Sequence, residues 1–184
     1  MGVDAVTRRA IFLDRDGVLN RAVVRDGKPY PPDSVDDMDV LPGVGEALAR
    51  LKQAGFALIV VTNQPDVARG RQKRSRVEAI NRALMERLPL DEIRVCYHDD
   101  GDGCACRKPE PGLLLRPPLH DLSQSVIVGD RWRDIEAGRR AGVGATVLID
   151  YGYREPCLVE PDLRASSLAS ATDWILGRIE VPAR

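Results

Sequence analysis

Five short apolar runs punctuate this sequence, and most of them stop at a polar residue or a glycine. They are Ala10–Leu13 before Asp14, Ala57–Val61 before Thr62, Ile93–Cys96, Ser125–Val128 before Gly129-Asp130, and Ala145–Ile149. Runs this short, rich in β-branched residues, suit parallel strands buried on both faces. Between them the apolar spacing becomes helical. Val44–Ala54 carries Val44, Ala47, Leu48 and Leu51 ahead of the stop at Gly55. Ser75–Arg87 presents Val77, Ile80 and Leu84 on one face, and Arg133–Ala141 precedes Gly142. Strand and helix in alternation predict an α/β fold: a three-layer α/β/α sandwich on a central parallel, Rossmann-like sheet with right-handed crossovers. An apolar stretch over residues 168–179, with Trp174, is expected to close the sheet as a final helix. At 184 residues, 43% of them apolar, the chain is expected to be one domain over 1–184.

Charge and hydropathy exclude several function classes. Lysine and arginine number 27 against 28 acidic residues, a net charge of −1, so no overall basic field exists to hold nucleic acid or anionic lipid. The longest uninterrupted apolar run, Phe56–Val61, is far too short to span a bilayer, and residues 1–10 lack the apolar core of a signal peptide. The expectation is a soluble, cytoplasmic protein with no membrane partner, and a monomer by default.

In a parallel α/β sheet, ligands gather beyond the carboxyl ends of the strands. Here those ends are Asp14, Thr62 and Asp130. Asp14-Arg15-Asp16-Gly17 sets two carboxylates two residues apart where an apolar strand stops, and buried acids call for a cation. Asp130 and Asp134 repeat the theme at a second strand end. Alone, the first pair reads as an Asx turn and the second as helix N-capping. Together they can converge on an oxygen-preferring ion such as Mg2+. Thr62 and Asn63 add a hydroxyl and an amide for a bound phosphate, and Arg107 and Lys108 add a guanidinium fork and a point charge.

A second metal site is written into one short loop. Cys96, His98, Cys104 and Cys106 lie within eleven residues, giving three thiolates and one imidazole, the ligand count of a closed tetrahedral structural zinc site. The residues between them, Asp99-Asp100-Gly101-Asp102-Gly103, include no apolar side chain to pack, so a Zn2+ ion would supply the order and would fix the neighbouring Arg107 and Lys108. Cys157 lies apart and reads as a free thiol.

Taken in order, Asp14-Arg15-Asp16-Gly17, Thr62-Asn63-Gln64, Lys108 within Arg107–Gly112, and Gly129-Asp130 through Asp134 resemble the four motifs of the haloacid dehalogenase superfamily of phosphohydrolases. The likeness spans residues 9–152. It implies that Asp14 is the nucleophile, forming a phosphoaspartate, and that Asp16 is the general acid and base. It further implies that Mg2+ is held by Asp14, by Asp16 through its backbone carbonyl and by Asp130, while Thr62 and Lys108 stabilise the phosphoryl group. Asp16 has to begin protonated, which neighbouring negative charge favours.

With the zinc loop and Val67-Ala68-Arg69-Gly70, the chain is similar to the D-glycero-D-manno-heptose 1,7-bisphosphate 7-phosphatase subfamily, beside which stand the histidinol-phosphate phosphatases. That resemblance places Arg107 and Arg131 at a small phosphorylated sugar and implies removal of the 7-phosphate. The intervals after Asp16 and between Thr62 and Lys108 leave no room for a separate cap domain. The chain departs from the subfamily at Pro65-Asp66, which stiffens a loop and adds negative charge. It departs again at Pro117-Pro118, which should shorten a helix expected over Leu113–Leu122. Two other classes fit part of the pattern: a phosphorylatable receiver module, from which Asp16 distinguishes this chain by speeding dephosphorylation, and a zinc-loop interaction module with a vestigial site.

Overall fold

In a computed structural model, which describes residues 8–155 and 158–180, all five apolar runs become strands of one parallel sheet. In chain order the elements are β1 (Ala10–Leu13), β2 (Val23–Arg25), β3 (Lys28–Tyr30), α1 (Val44–Gln53), β4 (Ala57–Asn63) and α2 (Arg74–Arg87). There follow β5 (Glu92–Cys96), β6 (Val126–Gly129), α3 (Trp132–Ala141), β7 (Ala145–Ile149), β8 (Leu163–Ala165) and α4 (Leu168–Glu180). The main sheet runs β5-β4-β1-β6-β7-β8, with every neighbouring pair parallel. After β1 the chain adds β4 and β5 on one side, then crosses back to add β6, β7 and β8 on the other. The order therefore reverses around β1, and a crevice opens between the loops that leave β1, β4 and β6.

Strand alternation divides the core in two. Ile11 and Leu13 join Leu58, Val60 and Val128 under α1, α2 and α4, whereas Phe12 joins Ile59, Val61 and Ile127 under α3 and the buried Leu113 and Leu114. Leu48 and Leu51 of α1 are fully buried, and each contributes roughly 1.5–3 kcal/mol by leaving water. Gly142, at φ 79°, takes the left-handed conformation that ends α3, as the sequence signalled.

Three features differ from the sequence reading. β8 adds a sixth strand at the sheet edge; its Leu-Arg-Ala sequence has no apolar run to announce it. β2 and β3 form a separate antiparallel hairpin after β1, with Val23 and Val24 exposed. The expected helix over Leu113–Leu122 is replaced by short 3-10 turns at Pro111–Leu113 and Leu122–Gln124. Pro117-Pro118 removes two backbone donors, and the buried Arg94 of β5 caps the freed carbonyls, donating to Leu113 O at 2.9 Å and Pro118 O at 3.2 Å.

Between Thr62 and Lys108 the chain is taken up by α2, β5 and the Cys/His loop, so among the described residues no separate cap covers the crevice. Among these residues no helix is long and apolar enough to cross a membrane. Cys157 lies outside the described residues.

Candidate active site

β1 delivers Asp14 to the floor of the crevice, and the turn that follows explains Gly17. Its φ is 87°, and a Cβ there would stand 2.1 Å from Asp130 Oδ2. That close approach brings the loop after β1 against the loop after β6, so Asp14, Asp130 and Asp134 present carboxylate oxygens within 4.8 Å of one another.

Lys108 meets this acidic cluster from the far end of the Cys/His loop. Its side chain is 3% exposed, and its Nζ donates to Asp14 Oδ1 at 2.9 Å, to Val61 O at 2.6 Å and to Asp134 Oδ1. Burial alone would lower the lysine pKa, but the charges of Asp134 and Asp14 outweigh it and hold the ammonium protonated. Asn63 fixes the backbone of Lys108: its amide donates to Lys108 O at 2.9 Å and its carbonyl accepts from Lys108 N at 3.1 Å. Asn63, expected to face substrate, thus has its amide committed to holding the lysine.

The three carboxylates are not equivalent. Asp134 gives one oxygen to Lys108 and the other to the backbone N–H of Arg131, capping α3 at 3.1 Å. Asp130 has both oxygens buried with no hydrogen bond of acceptable geometry, the nearby Tyr153 hydroxyl included. Burial, then the charges of Asp14 and Asp134, push Asp130 well above the usual carboxylate range. Burial likewise lifts Asp14 to about 6 against the opposing pull of Lys108. Buried carboxylates in want of a counter-charge, one of them with orphaned oxygens, are the donor set of a hard divalent cation.

Asp16 sits beside Asp14 with its carboxylate held on three sides. Arg15 donates at 2.9–3.2 Å, Asn20 Nδ2 at 2.9 Å and Gln64 Nε2 at 2.9 Å. The negative neighbour expected for Asp16 is therefore accompanied by a guanidinium. Gln64 also donates to Thr62 Oγ1 at 2.9 Å, which ties the end of β4 to Asp16.

The four soft ligands converge as well. Sulfur separations among Cys96, Cys104 and Cys106 are 3.2–3.7 Å, and His98 Nδ1 lies 3.5 Å from Cys96 Sγ and 3.4 Å from Cys106 Sγ. A Zn–S distance of about 2.3 Å puts the edge of a tetrahedron near 3.8 Å, so a spread of a few tenths of an ångström would seat one ion among these ligands. All three thiols are free, and burial raises that of Cys96, so a thiolate there requires a cation.

Above the acids lies a cavity of about 270 Å3, walled by the hairpin residues Lys28 and Tyr30 on one side and by Arg69, Arg107, Arg131 and Arg133 on the others. The sequence profile of the haloacid dehalogenase-like hydrolases matches residues 33–142. The chain belongs to that hydrolase family. It is 37% identical to the D-glycero-β-D-manno-heptose-1,7-bisphosphate 7-phosphatase of Escherichia coli K12 over 92% of this chain and 89% of the relative. It is 36% identical to that of Yersinia pestis over 92% and 90%. A crystal structure of D,D-heptose 1,7-bisphosphate phosphatase from B. bronchiseptica, complexed with magnesium and phosphate, superposes with a TM-score of 0.79 at 34% identity, covering 92% of this chain and 99% of the other.

Several residues of this hydrolase's site lay beyond the sequence reading. Asp134 was legible as a cap but not as a partner of Lys108. Glu155 gave no signal: it grips Arg131 through two contacts of 2.7 Å and accepts from Trp132 Nε1 at 3.0 Å. Arg131 thus lines the cavity with its fork already engaged. The added charge of Asp66 is met by Arg69 at 3.5 Å, so the Pro65-Asp66 departure places no unpaired acid in the cavity.

Proposed function

We propose that this hydrolase removes the 7-phosphate of D-glycero-D-manno-heptose 1,7-bisphosphate, leaving heptose 1-phosphate, with Asp14 as nucleophile. The observation that carries the reading is the buried contact of Asp14 with Lys108 beside the unpartnered Asp130, at the end of β1 and beneath an arginine-walled cavity. Similarity to enzymes named for that bisphosphate supports the choice of substrate. The guanidinium forks at the rim suit a second phosphate, which the heptose bisphosphate has and histidinol phosphate lacks.

The chemistry follows from what the side chains hold. Lys108 fixes Asp14 Oδ1, and the Asp14 carboxylate attacks phosphorus in line. As the bond from phosphorus to the sugar oxygen breaks, its electron pair goes to that oxygen, and Asp16 donates the proton that completes the alcohol. Asp16 then takes a proton from a water that attacks the phosphoaspartate, releasing inorganic phosphate and restoring Asp14. Arg15, Asn20 and Gln64 hold the ionised Asp16 before the reaction and between turnovers, so Asp16 gives up part of these contacts when it carries the proton, and Gln64 also contacts the Thr62 hydroxyl at the end of β4. Asp134 keeps Lys108 aimed at Asp14.

The donor set fits magnesium, which the Asp14 and Asp130 carboxylates and the Asp16 backbone carbonyl would hold. When bound, the ion supplies charge neutralisation that lets a carboxylate approach a phosphate dianion. Zinc on Cys96, His98, Cys104 and Cys106 would order the loop that carries Arg107 and Lys108. Free thiols at a zinc loop suit the reducing cytoplasm.

Phosphate release from heptose 1,7-bisphosphate, histidinol phosphate and a panel of sugar monophosphates, with Asp14→Asn alongside, tests the reading. Preferential turnover of the heptose bisphosphate that disappears in Asp14→Asn is the expected result. Turnover that survives Asp14→Asn, or a clear preference for histidinol phosphate, would overturn it.

A further inference from the structure

Three arginines from distant segments converge on one carboxylate at the rim of the cavity. Arg107, at the end of the Cys/His loop, donates from Nε to Asp100 Oδ1 at 2.9 Å, and Arg133, in the first turn of α3, donates from Nη1 to the same oxygen at 3.0 Å. Arg69, from the loop between β4 and α2, reaches Asp100 Oδ2 at 3.2 Å and also contacts Asp99. All four residues of the Asp100 cluster line the same cavity as Asp14 and Lys108.

The burial runs opposite to that of a structural ion pair. The Asp100 side chain is 52% exposed, whereas that of Arg107 is 11% exposed and that of Arg133 is 26%. The cations are the built part and the acid lies on the solvent side of them, as a ligand does. Asp100 opens a 3-10 turn, Asp100–Asp102, that buries no residue, so no core packing holds its side chain where it is. A single oxygen accepting from two guanidinium groups also matches the way a phosphate oxygen is bound.

We propose that Asp100 is an internal stand-in for the second phosphate of the substrate. It keeps Arg69, Arg107 and Arg133 oriented in the free enzyme and is displaced toward water when a ligand brings its own remote anion. This rests on the phosphatase reading above and deepens it: Asp100 is a positioning residue that sets specificity. A phosphate dianion outcompetes a carboxylate monoanion at guanidinium forks that are already oriented, so the exchange favours doubly phosphorylated ligands. A substrate with one phosphate, seated at Asp14, leaves Asp100 on its arginines.

The test compares wild type, Asp100→Asn, Asp100→Glu and Arg133→Gln on heptose 1,7-bisphosphate and on heptose 7-phosphate. Asp100→Asn keeps an acceptor oxygen for the arginines but removes the competing charge. Its KM for the bisphosphate should fall by about two- to fivefold relative to that for the monophosphate, the scale of one partly exposed charge contact. The change falls in KM and not in kcat. Asp100→Glu restores the competing charge and returns the ratio toward wild type, and Arg133→Gln moves the bisphosphate KM upward. A bisphosphate KM that rises in Asp100→Asn, or KM values that shift by the same factor for both substrates, would overturn the proposal and leave Asp100 as an organiser of the loop. If the heptose bisphosphate proves a poor substrate, the reading of the substrate fails, and the same ratio measured on fructose 1,6-bisphosphate against fructose 6-phosphate still decides the role of Asp100.

Discussion

Replacing Lys108 by methionine removes a cation that two buried carboxylates share. In the native protein its ammonium contacts Asp14 Oδ1 at 2.9 Å, Asp134 Oδ1 and Val61 O at 2.6 Å, and its side chain is 3% exposed. Methionine fills the stem and leaves both acids unpaired. Removing one partner of a buried pair costs about 3–5 kcal/mol, and that is the expected loss at pH 8 without magnesium. The loss depends on pH, and its sign follows from the carboxylates. Burial already holds Asp14 up near 6, above its ordinary 3.8, although Lys108 pulls it down; without the lysine it rises further. A group whose folded pKa exceeds its unfolded value contributes stability that is fully present below the unfolded value and is lost as pH rises through the folded one. Lys108 itself titrates far above this window, since its acids raise it, so its own contribution is flat between pH 5 and pH 8. The deficit of Lys108→Met should therefore be near its full size at pH 8 and fall to roughly half at pH 5 as Asp14 takes up its proton, a tenfold change in proton affinity being worth about 1.4 kcal/mol. Urea unfolding followed by far-UV circular dichroism, wild type against variant at both pH values, measures it. A deficit below about 1 kcal/mol at pH 8, or one that is equal at the two pH values, would refute the argument that these carboxylates depend on Lys108 for their charge.

Three further outcomes are expected. Gly129→Ala would put a Cβ 2.2 Å from the Cβ and Cγ of Asp134, so it should cost about 1–3 kcal/mol by overpacking and depress phosphate release by pushing Asp134 off Lys108; a thermal melt and an activity assay check both. If the Cys/His loop holds zinc as proposed, a selective chelator, or replacing Cys104 by serine, should destabilise the protein by at least about 3 kcal/mol and expose residues 99–103 to protease, because the loop has no apolar core of its own. Unchanged melting would rule out a structural ion. Burial raises Asp162, but hydrogen bonds from the backbone and hydroxyl of Thr146 and the charge of Arg139 outweigh it and hold the carboxyl below 3.8. Asp162→Asn should lose about 1–2 kcal/mol at neutral pH, and the gap to wild type should close as pH falls below about 4, where the native contribution is lost.

The elements that the sequence announced are those whose pattern repeats over several turns or residues. Val44, Ala47, Leu48 and Leu51 mark one face of α1, and all four are buried. β1, β4, β6 and β7 were legible because they are apolar or nearly so on both faces, and the edge strand β5 because Ile93, Val95 and Cys96 still mark it despite the buried Arg94. β8 was not, since an edge strand of three residues pairs on one side and needs no apolar run. The hairpin of β2 and β3 packs nothing against the core, and its Asp26-Gly27 turn, both residues at positive φ, was the local signal for it. At the site, the residues that bear chemistry were recognisable from type and order, whereas their supports were not. Asn63 looks like a phosphate ligand in sequence and turns out to clamp the backbone of Lys108. Glu155 is an ordinary acid in sequence and turns out to hold the fork of Arg131. Both depend on contacts between segments 24 to 45 residues apart, which no local pattern encodes.

The charge at the two ends of the cavity follows one logic. At the inner end, Asp14, Asp130 and Asp134, when all are ionised, would set three negative charges against the single ammonium of Lys108, an excess of two that one divalent cation would match and without which burial holds Asp14 and Asp130 toward their protonated forms. At the outer end, Arg69, Arg107 and Arg133 are balanced by Asp66, Asp99 and Asp100, so the rim is neutral as it stands. A phosphate arriving at the inner end without a cation meets repulsion, and one arriving at the outer end must first replace an acid. On the proposed reading, productive binding would couple two exchanges: a divalent ion would complete the inner charge and a remote anion would relieve Asp100 at the rim. The loop with the soft metal ligands links the two ends, since Asp100, Arg107 and Lys108 all ride on it, and fixing that loop sets both balances at once.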